Sequence, residues 1–389
     1  MASLYIHIPF CEHKCIYCDF YSIAPNESRP HAGLSTRRFI ESLKREIVLR
    51  AQEERFRVPY ATLFLGGGTP SLLSLDELGE IFDALVRSFS IERDAEITIE
   101  ANPGTVDLEK FRAYRRLGIN RVSMGVQSFH DDDLRFLTRI HSSDQAKRCV
   151  HDADAAGFEN VSIDLMFALP GQTRERWRSN LDEAVRLHPT HISCYSLIVE
   201  PHTPLAGMVE AKQVSLLSID EDAALYESTM EYLSVCGYEQ YEVSNFAKAG
   251  FASHHNRNYW NHSNYLGFGP SAHSFWHGHE SSEAPERWWN VSDIVGYNES
   301  LGNCSLPVAG RERLTRIQLL EEEIFLGLRS DGVDIGGFQR RHGMNLLSDP
   351  TSKFRDLIAN RMAVLDQGKV RLTAKGYLLC DEICASLRS

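Results

Sequence analysis

The amino-acid sequence predicts an α/β protein: a partial (β/α)6 barrel followed by a smaller, helix-rich, winged-helix-like C-terminal domain. Three observations predict it. Short apolar runs alternate six times with amphipathic helical stretches, which means a parallel sheet with helical crossovers. Polar residues close several of those runs: Gly66-Gly67-Gly68-Thr69, Glu100, Gln127 and Asp164. In a barrel such residues meet at one mouth, at the C-terminal ends of the strands, whereas a doubly wound sheet gathers them only at its switch point. After about Pro204 the alternation stops, and helices with one hairpin follow.

The strands are expected at Tyr5–Ile8, Ala61–Leu65, Glu96–Ala101, Arg121–Gln127, Asn160–Met166 and His191–Ile198. Helical patterns lie between them, near Ser35–Arg50, Ser74–Ser88, Asp107–Leu117, Asp144–Ala156 and Thr173–Leu187. Ser74 and Asp107 read as N-caps, and Ser74-Leu-Asp-Glu77 as a capping box. Gly118 and Gly157 stand where a helix end needs a left-handed residue. A helix near Leu216–Val235 precedes an aromatic, His-rich segment of weak periodicity that runs to Trp276. Helix returns at Leu314–Leu328, then a hairpin at Val364–Leu372 and a last helix at Thr373–Leu387. The expected division is a core at 1–236, a connecting segment at 237–310 and the C-terminal domain at 311–389.

Composition narrows the function. With 43% hydrophobic and 24% charged residues the chain can bury a substantial core, unlike a disordered one. A net charge of -12 argues against bulk nucleic-acid binding, which needs a positive surface, so no nucleic-acid partner is expected. No signal-peptide pattern precedes the first strand and no stretch approaches the apolar length of a membrane span. Only Met1-Ala2-Ser3 stand before Leu4-Tyr5-Ile6, so the expectation is a cytoplasmic protein without a transit segment.

Nine cysteines are an odd count, and three crowd together as Cys11-x3-Cys15-x2-Cys18. In a reducing compartment that favours metal binding or catalysis over disulfides. Soft thiolates at this spacing can wrap an ion or cluster on one loop. Zinc usually takes four ligands, and His7 or His13 could supply a fourth, so zinc stays open. Three thiolates on a [4Fe–4S] cluster would leave one iron open to chelate another molecule. Three incidental cysteines are the bland alternative, disfavoured by their density.

The cysteine triplet after the first strand, with Tyr17 before its last member, resembles the radical S-adenosylmethionine (SAM) superfamily, as does LFLGGGTPSLL after the second. The glycine run lacks the Gly-Lys-Ser/Thr of a phosphate loop, so nucleoside triphosphate binding is the poorer reading. The resemblance implies that Cys11, Cys15 and Cys18 hold the cluster and that the open iron chelates SAM, whose reductive cleavage yields a 5′-deoxyadenosyl radical and methionine. It also implies a SAM site of Gly67, Gly68 and Thr69 for the methionine ammonium, Glu100 for the ribose diol or ammonium, Gln127, Arg139 for the carboxylate, and Asp164 for the ribose hydroxyls. Tyr5 and Tyr17 would pack near the adenine and cluster. The bland alternative for Glu100, Asp164 and Arg139 is strand-end solvation and a surface arginine.

YIHIPFC, GGGTPS, IEANPG, SMGVQSF and DLMFALPGQT, with the tail from Arg311, resemble the oxygen-independent coproporphyrinogen III oxidase-like family of that superfamily. Within it, the heme chaperone (HemW) subgroup is favoured. Phe20 stands where the dehydrogenase has a further cysteine, and the dehydrogenase's long N-terminal extension is absent from this sequence. His255-Asn256-Arg257-Asn258-Tyr259-Trp260 matches the subgroup's HNxxYW signature, implying heme binding by His255, Asn256, Tyr259 and Trp260. His254 and His262 remain rival axial ligands, and the turn-rich run Gly267–Ser274 is open between site approach and loop packing. The implied cofactors are a [4Fe–4S] cluster, SAM and heme; the implied partners are heme acceptor proteins, membrane respiratory ones among them, and an electron donor for the cluster. The rivals are anaerobic decarboxylation of coproporphyrinogen III, radical chemistry on another substrate, and a zinc-stabilised interaction protein.

Overall fold

The computed structural model describes residues 2–25, 35–277, 284–348 and 352–387. Its first part repeats strand and helix: β1 (Ala2–Ile8), α1 (Thr36–Ala51), β2 (Pro59–Gly67), α2 (Leu75–Ser88), β3 (Ser90–Ala101), α3 (Leu108–Arg116), β4 (Arg121–Gln127), α4 (Asp131–Phe136), α5 (Ser143–Ala155), β5 (Asn160–Phe167), α6 (Arg174–Arg186) and β6 (His191–Ser196). The six strands pair in chain order, all parallel. β1 and β6 do not meet, so the barrel is partial, as expected.

Local signals act where the sequence places them. Ser74 closes a capping box with Glu77, and the Asp107 side chain accepts from the Lys110 amide. Gly118 and Gly157 take φ of +93° and +84°, past helix ends that a residue with a Cβ would close less readily.

After β6 come α7 (Pro204–Glu210), α8 (Ile219–Val235), β7 (Glu239–Gln240), β8 (Asn245–Ala247), α9 (His254–Trp260), β9 (Asn264–Phe268), β10 (His273–Trp276), β11 (Glu286–Asn290), α10 (Ile294–Gly302) and β12 (Val308–Arg313). The His-rich segment, which shows no clear period, therefore holds a helix and two strands. β9 pairs parallel with β1, and β10, β11 and β12 extend that edge antiparallel; β8 and β7 extend the other edge from β6. The result is one twelve-stranded sheet.

The last part is α11 (Arg316–Leu328), β13 (Val333–Asp334), α12 (Ile335–His342), α13 (Lys353–Ala359), β14 (Ala363–Asp366), β15 (Lys369–Leu372), α14 (Ala374–Tyr377) and α15 (Cys380–Leu387). The single final helix read from sequence is thus two, broken after Tyr377. This part has its own three-stranded sheet and its own core around Leu328, Phe338, Phe354 and Val370.

Alternation along the barrel strands sets the site. Leu4, Ile6, Ile8, Leu63, Leu65, Val122, Met124, Ile163 and Leu165 belong to the main apolar core. The residues between them are polar or aromatic: Tyr5, His7, Thr62, Phe64, Glu100, Arg121, Ser123, Ser162, Asp164 and His191. Successive strand residues point to opposite faces. One face is therefore built for packing and the other for polar chemistry.

Candidate functional site

The cysteine loop follows β1 directly. The Cys11 amide donates to the Ile23 carbonyl (2.9 Å) and the Ile23 amide to the Pro9 carbonyl (2.6 Å), closing the loop at its base. The glycine turn after β2 docks on it: Gly68 N–H donates to Ile8 O and Thr69 N–H to Phe10 O, each at 2.7 Å. A Cβ on Gly68 would lie 2.7 Å from the Phe10 carbonyl oxygen and 3.1 Å from Cys11 Sγ, so only glycine allows this approach. Gly67 has φ of +106°, and a Cβ there would meet the His7 ring at 2.6 Å.

Cys15 is buried and Cys11 and Cys18 are half-buried. Thr69 Oγ1 donates to Cys11 Sγ at 3.5 Å. Burial raises the Cys11 thiol above its ordinary value and pushes Cys18 up to about 11. A cation brought among these thiols would lower both. Among the described residues no group of three or more His, Cys, Asp or Glu is gathered tightly enough to hold a single metal ion. His7 spends both ring nitrogens, Nε2 on the Tyr21 carbonyl (2.8 Å) and Nδ1 on the Tyr5 hydroxyl (3.1 Å), and burial lowers its pKa to about 4. It is not presented to the loop as a fourth ligand. Three soft donors on one loop, with a glycine cradle beside them, fit a cluster that takes each thiolate on a different iron.

Above the loop, the strand ends bring charges together. The Gly67 amide donates to Glu100 Oε2 at 3.1 Å. Burial, with the nearby Asp164 carboxylate, pushes Glu100 up to about 8. Burial also raises Asp164, against Ser193, Arg121, Ser123 and Ser162; Ser123 Oγ lies 3.2 Å from Asp164 Oδ1. Arg139 joins three motifs. Nη1 lies 3.7 Å from Cys15 Sγ, and Nη2 donates to Gly125 O at 2.7 Å and to Asn102 Oδ1. Its buried Nε has no partner. Gln127 ends β4 at φ +66°, where a side chain is uncommon, beside Gly125 and Arg139. Tyr17 packs against the buried cluster of Leu137, Met166, Leu169, Leu197 and Leu205. An ammonium, a carboxylate and a ribose diol would each find a complementary group here.

Tyr17, Gly68, Thr69 and Arg139 thus belong to or touch the cysteine loop, Gly67, Glu100 and Gln127 adjoin them, and Tyr5 and Asp164 lie on the same polar face, Tyr5 on His7 and Asp164 near Glu100. Sequence reasoning missed Arg121, almost fully buried on the polar face, and Asn102, which holds Arg139. A lone arginine opening an otherwise apolar strand was the available signal for the first.

The HNRNYW run lies elsewhere. It forms α9, seated among early residues of the strands rather than their ends. Glu96 caps it, accepting from the amides of His254 (3.0 Å) and His255 (2.9 Å) and from Ser253 Oγ (3.2 Å). Asn258 donates to Ser3 Oγ at 2.8 Å. His255 is 2% exposed. Its Nδ1 pairs with Thr62 Oγ1 at 2.7 Å and its Nε2 with Tyr259 Oη at 3.1 Å, and its ring stacks on Phe64 at 4.9 Å. Burial, with Arg121 nearby, lowers it to about 3, so the ring is neutral. The Asn256 amide donates to Ser253 Oγ at 3.3 Å, the side-chain cap of α9. Tyr259 continues outward to Tyr265 (4.7 Å), and Tyr265 to Phe275 (6.3 Å). Gly269, in the turn-rich run, packs against the His7 backbone, where a Cβ would meet the carbonyl oxygen at 2.4 Å. That run approaches β1 rather than hanging as a loop.

Known proteins are similar to this chain in sequence and in fold. The radical SAM superfamily model matches residues 5–184, and the HemN C-terminal domain model matches residues 314–379. The chain is 36% identical over 387 residues to the heme chaperone HemW of Bacillus subtilis (strain 168), covering 98% of each chain. It is 40% identical over 273 residues to the heme chaperone HemW of Escherichia coli (strain K12), covering 70% of this chain and 69% of that one. The structure of the coproporphyrinogen III oxidase HemN from Escherichia coli, a radical SAM enzyme, is similar with a TM-score of 0.81 and 25% identity, over 99% of this chain and 89% of that one. The chain belongs to the radical SAM superfamily and, within it, to the family of the HemW heme chaperones.

Proposed function

We propose that this chain is a heme chaperone that carries a [4Fe–4S] cluster and SAM, takes up heme and hands it to acceptor proteins. The observation that carries the reading is the end-to-end likeness to the heme chaperone of Bacillus subtilis, from the first strand to the last helix. Phe20 supports it: this side chain is exposed beside the cysteine loop, where the porphyrinogen dehydrogenase has a cysteine.

In this reading Cys11, Cys15 and Cys18 hold the cluster. Gly67, Gly68 and Thr69 offer backbone groups to the methionine ammonium, Glu100 and Asp164 take hydroxyls or positive charge, and Arg139 takes the carboxylate. Gln127, Tyr5 and Tyr17 complete the enclosure. When bound, the cluster supplies single electrons and SAM supplies a reducible sulfonium. The chain's own work is to orient the ligand and exclude water. Arg139, poised between Cys15 and Asn102, ties the ligand's carboxylate to the cluster loop. An electron donor and acceptor proteins, membrane respiratory ones among them, are the partners. The cytoplasm is the setting; no helix among the described residues is long and apolar enough to cross a membrane.

The likeness to HemN over nearly the whole chain favours one second reading, anaerobic decarboxylation of coproporphyrinogen III. One experiment separates the two. Anaerobically reconstituted protein is titrated with heme and, in parallel, incubated with coproporphyrinogen III, SAM and a reductant. Stoichiometric heme binding without decarboxylated product is the expected outcome. Product that depends on SAM and Cys15 would replace the chaperone by the enzyme.

A further inference from the structure

We infer that His141 and Asn180 are positioning residues of the SAM site: together they hold Gln127 in a strained turn that lays its side chain beside Arg139. The inference rests on the SAM reading and deepens it. The turn is where β4 departs from a regular strand. Met124 stands opposite Ile163, but Gln127 stands opposite Leu165, so β4 advances three residues where β5 advances two. A bulge of this kind re-aims a side chain and is common beside functional sites. Within it the Ser128 amide donates to the Val126 carbonyl at 2.9 Å, across a Gln127 whose φ is +66°. That is a γ-turn of the rare, strained hand. A residue with a Cβ keeps such a conformation only where its surroundings fix it. The result is the placement of the side-chain amide. A Cβ on Gly125 would stand 3.2 Å from Gln127 Nε2 and 3.2 Å from Arg139 Nη2. The amide therefore folds back over Gly125, beside the guanidinium, and the two groups offer donors to one carboxylate.

The surroundings that fix it come from two sides. On one side the Val126 carbonyl accepts a second hydrogen bond, from His141 Nε2 at 3.1 Å. A carbonyl only accepts, so Nε2 carries the proton. His141 is 4% exposed, and burial beside the Arg139 guanidinium lowers its pKa to about 4, so the ring is neutral and holds that one proton. His141 stands two residues after Arg139, whose Nη2 donates to the Gly125 carbonyl at 2.7 Å. One short segment thus grips two successive carbonyls ahead of Gln127. On the other side Asn180, fully buried on α6, accepts from the Phe129 amide at 2.6 Å through Oδ1. The same oxygen lies 3.1 Å from Ser128 Oγ, which donates to Asp133 Oδ2 at 2.7 Å. Arg176 Nη2 pairs with Asp133 Oδ1 at 2.9 Å and anchors that group in turn. The backbone is therefore tied just before and just after Gln127, by side chains from separate segments.

The test is a double-mutant cycle on SAM affinity, measured by calorimetry on the full, anaerobically reconstituted chain, with denaturant unfolding run alongside. His141→Leu and Asn180→Leu remove the two holds. Gln127→Gly removes the amide and takes a positive φ without strain. Each single variant is expected to weaken SAM binding about tenfold. Added to Gln127→Gly, either leucine variant is expected to weaken it by less than about twofold more, because the amide it places is already gone. His141→Gln, whose side-chain nitrogen can still donate to Val126, is expected to bind SAM as the wild type does. Losses of affinity that are equal with and without Gln127, and that follow the loss of stability, would mark His141 and Asn180 as packing residues and overturn the inference. Wild-type affinity in Gln127→Gly would overturn it as well, and either result would leave the SAM reading standing. If His141→Leu does not fold, Asn180→Leu and His141→Gln carry the cycle. Wild type that binds no SAM would remove the SAM reading itself and the inference with it.

Discussion

At the mouth of the barrel, glycines, thiols and charged residues stand at the ends of successive strands, each within a short motif. At the floor, Ser3, Thr62 and Glu96, from three different strands, converge on one short helix that begins at position 254. The mouth groups do not close among themselves: Arg139 keeps an unpartnered Nε, and burial with Asp164 raises the Glu100 carboxyl to about 8. The floor groups are satisfied by one another. Glu96 accepts three hydrogen bonds, and His255 has both nitrogens engaged. A polar barrel face can thus be a binding surface at one end and a structural joint at the other. The difference is whether the hydrogen bonds close within the protein.

The largest expected effect separates the two ends outright. Cys15→Ala should reduce iron and sulfide after anaerobic reconstitution to background, while the far-ultraviolet circular dichroism stays that of wild type. His255→Ala should do the reverse. It leaves Thr62 and Tyr259 without a partner and opens a cavity beside Phe64, at a cost of about 3 kcal/mol. Denaturant unfolding should show that loss with iron content unchanged. Iron lost in proportion to stability would show the ends to be one unit, and the comparison would fail. Glu96→Gln is milder. It keeps the shape but weakens the cap on α9, and should cost about 1–2 kcal/mol in the same measurement. An effect as large as that of His255→Ala would mean that Glu96 is the true keystone of the floor.

The sequence showed the mouth better than the floor for a physical reason. Strand and helix periods, the capping box at Ser74 and the left-handed Gly118 and Gly157 are local, and local signals survive in a linear reading. Cys11, Cys15 and Cys18 declare themselves by spacing alone. α9 does not, because the face it buries is polar: His255 and Asn258 mark no apolar period, and only Thr62 and Ser3 beside them show that they are buried. β9 escapes notice because its partner, β1, is more than two hundred residues earlier. The resemblance pointed to His255 as a heme residue. No sequence pattern could say which way its ring faces, nor that His141, outside the signature, donates one nitrogen to the Val126 carbonyl.

The smallest expected effect is a pH dependence, and it sharpens what is meant by a mouth that does not close on itself. Glu100 is raised to about 8 by burial and by Asp164, from an ordinary value near 4.5. Between those values the fold holds a proton that the unfolded chain has released. The contribution of Glu100 to stability is therefore full below about pH 4.5, declines as pH rises, and levels off above about pH 8. A cation beside the carboxylate reverses the preference. SAM, with its sulfonium and ammonium, should expel the proton, so its affinity should rise by up to about tenfold per pH unit below pH 8 and flatten above it. Calorimetry in buffers of different ionisation enthalpy measures that release directly, and Glu100→Gln should abolish it. Affinity flat across pH 6–8 in the wild type would mean that Glu100 meets only neutral hydroxyls, and that the charge of the ligand is answered by Asp164 instead.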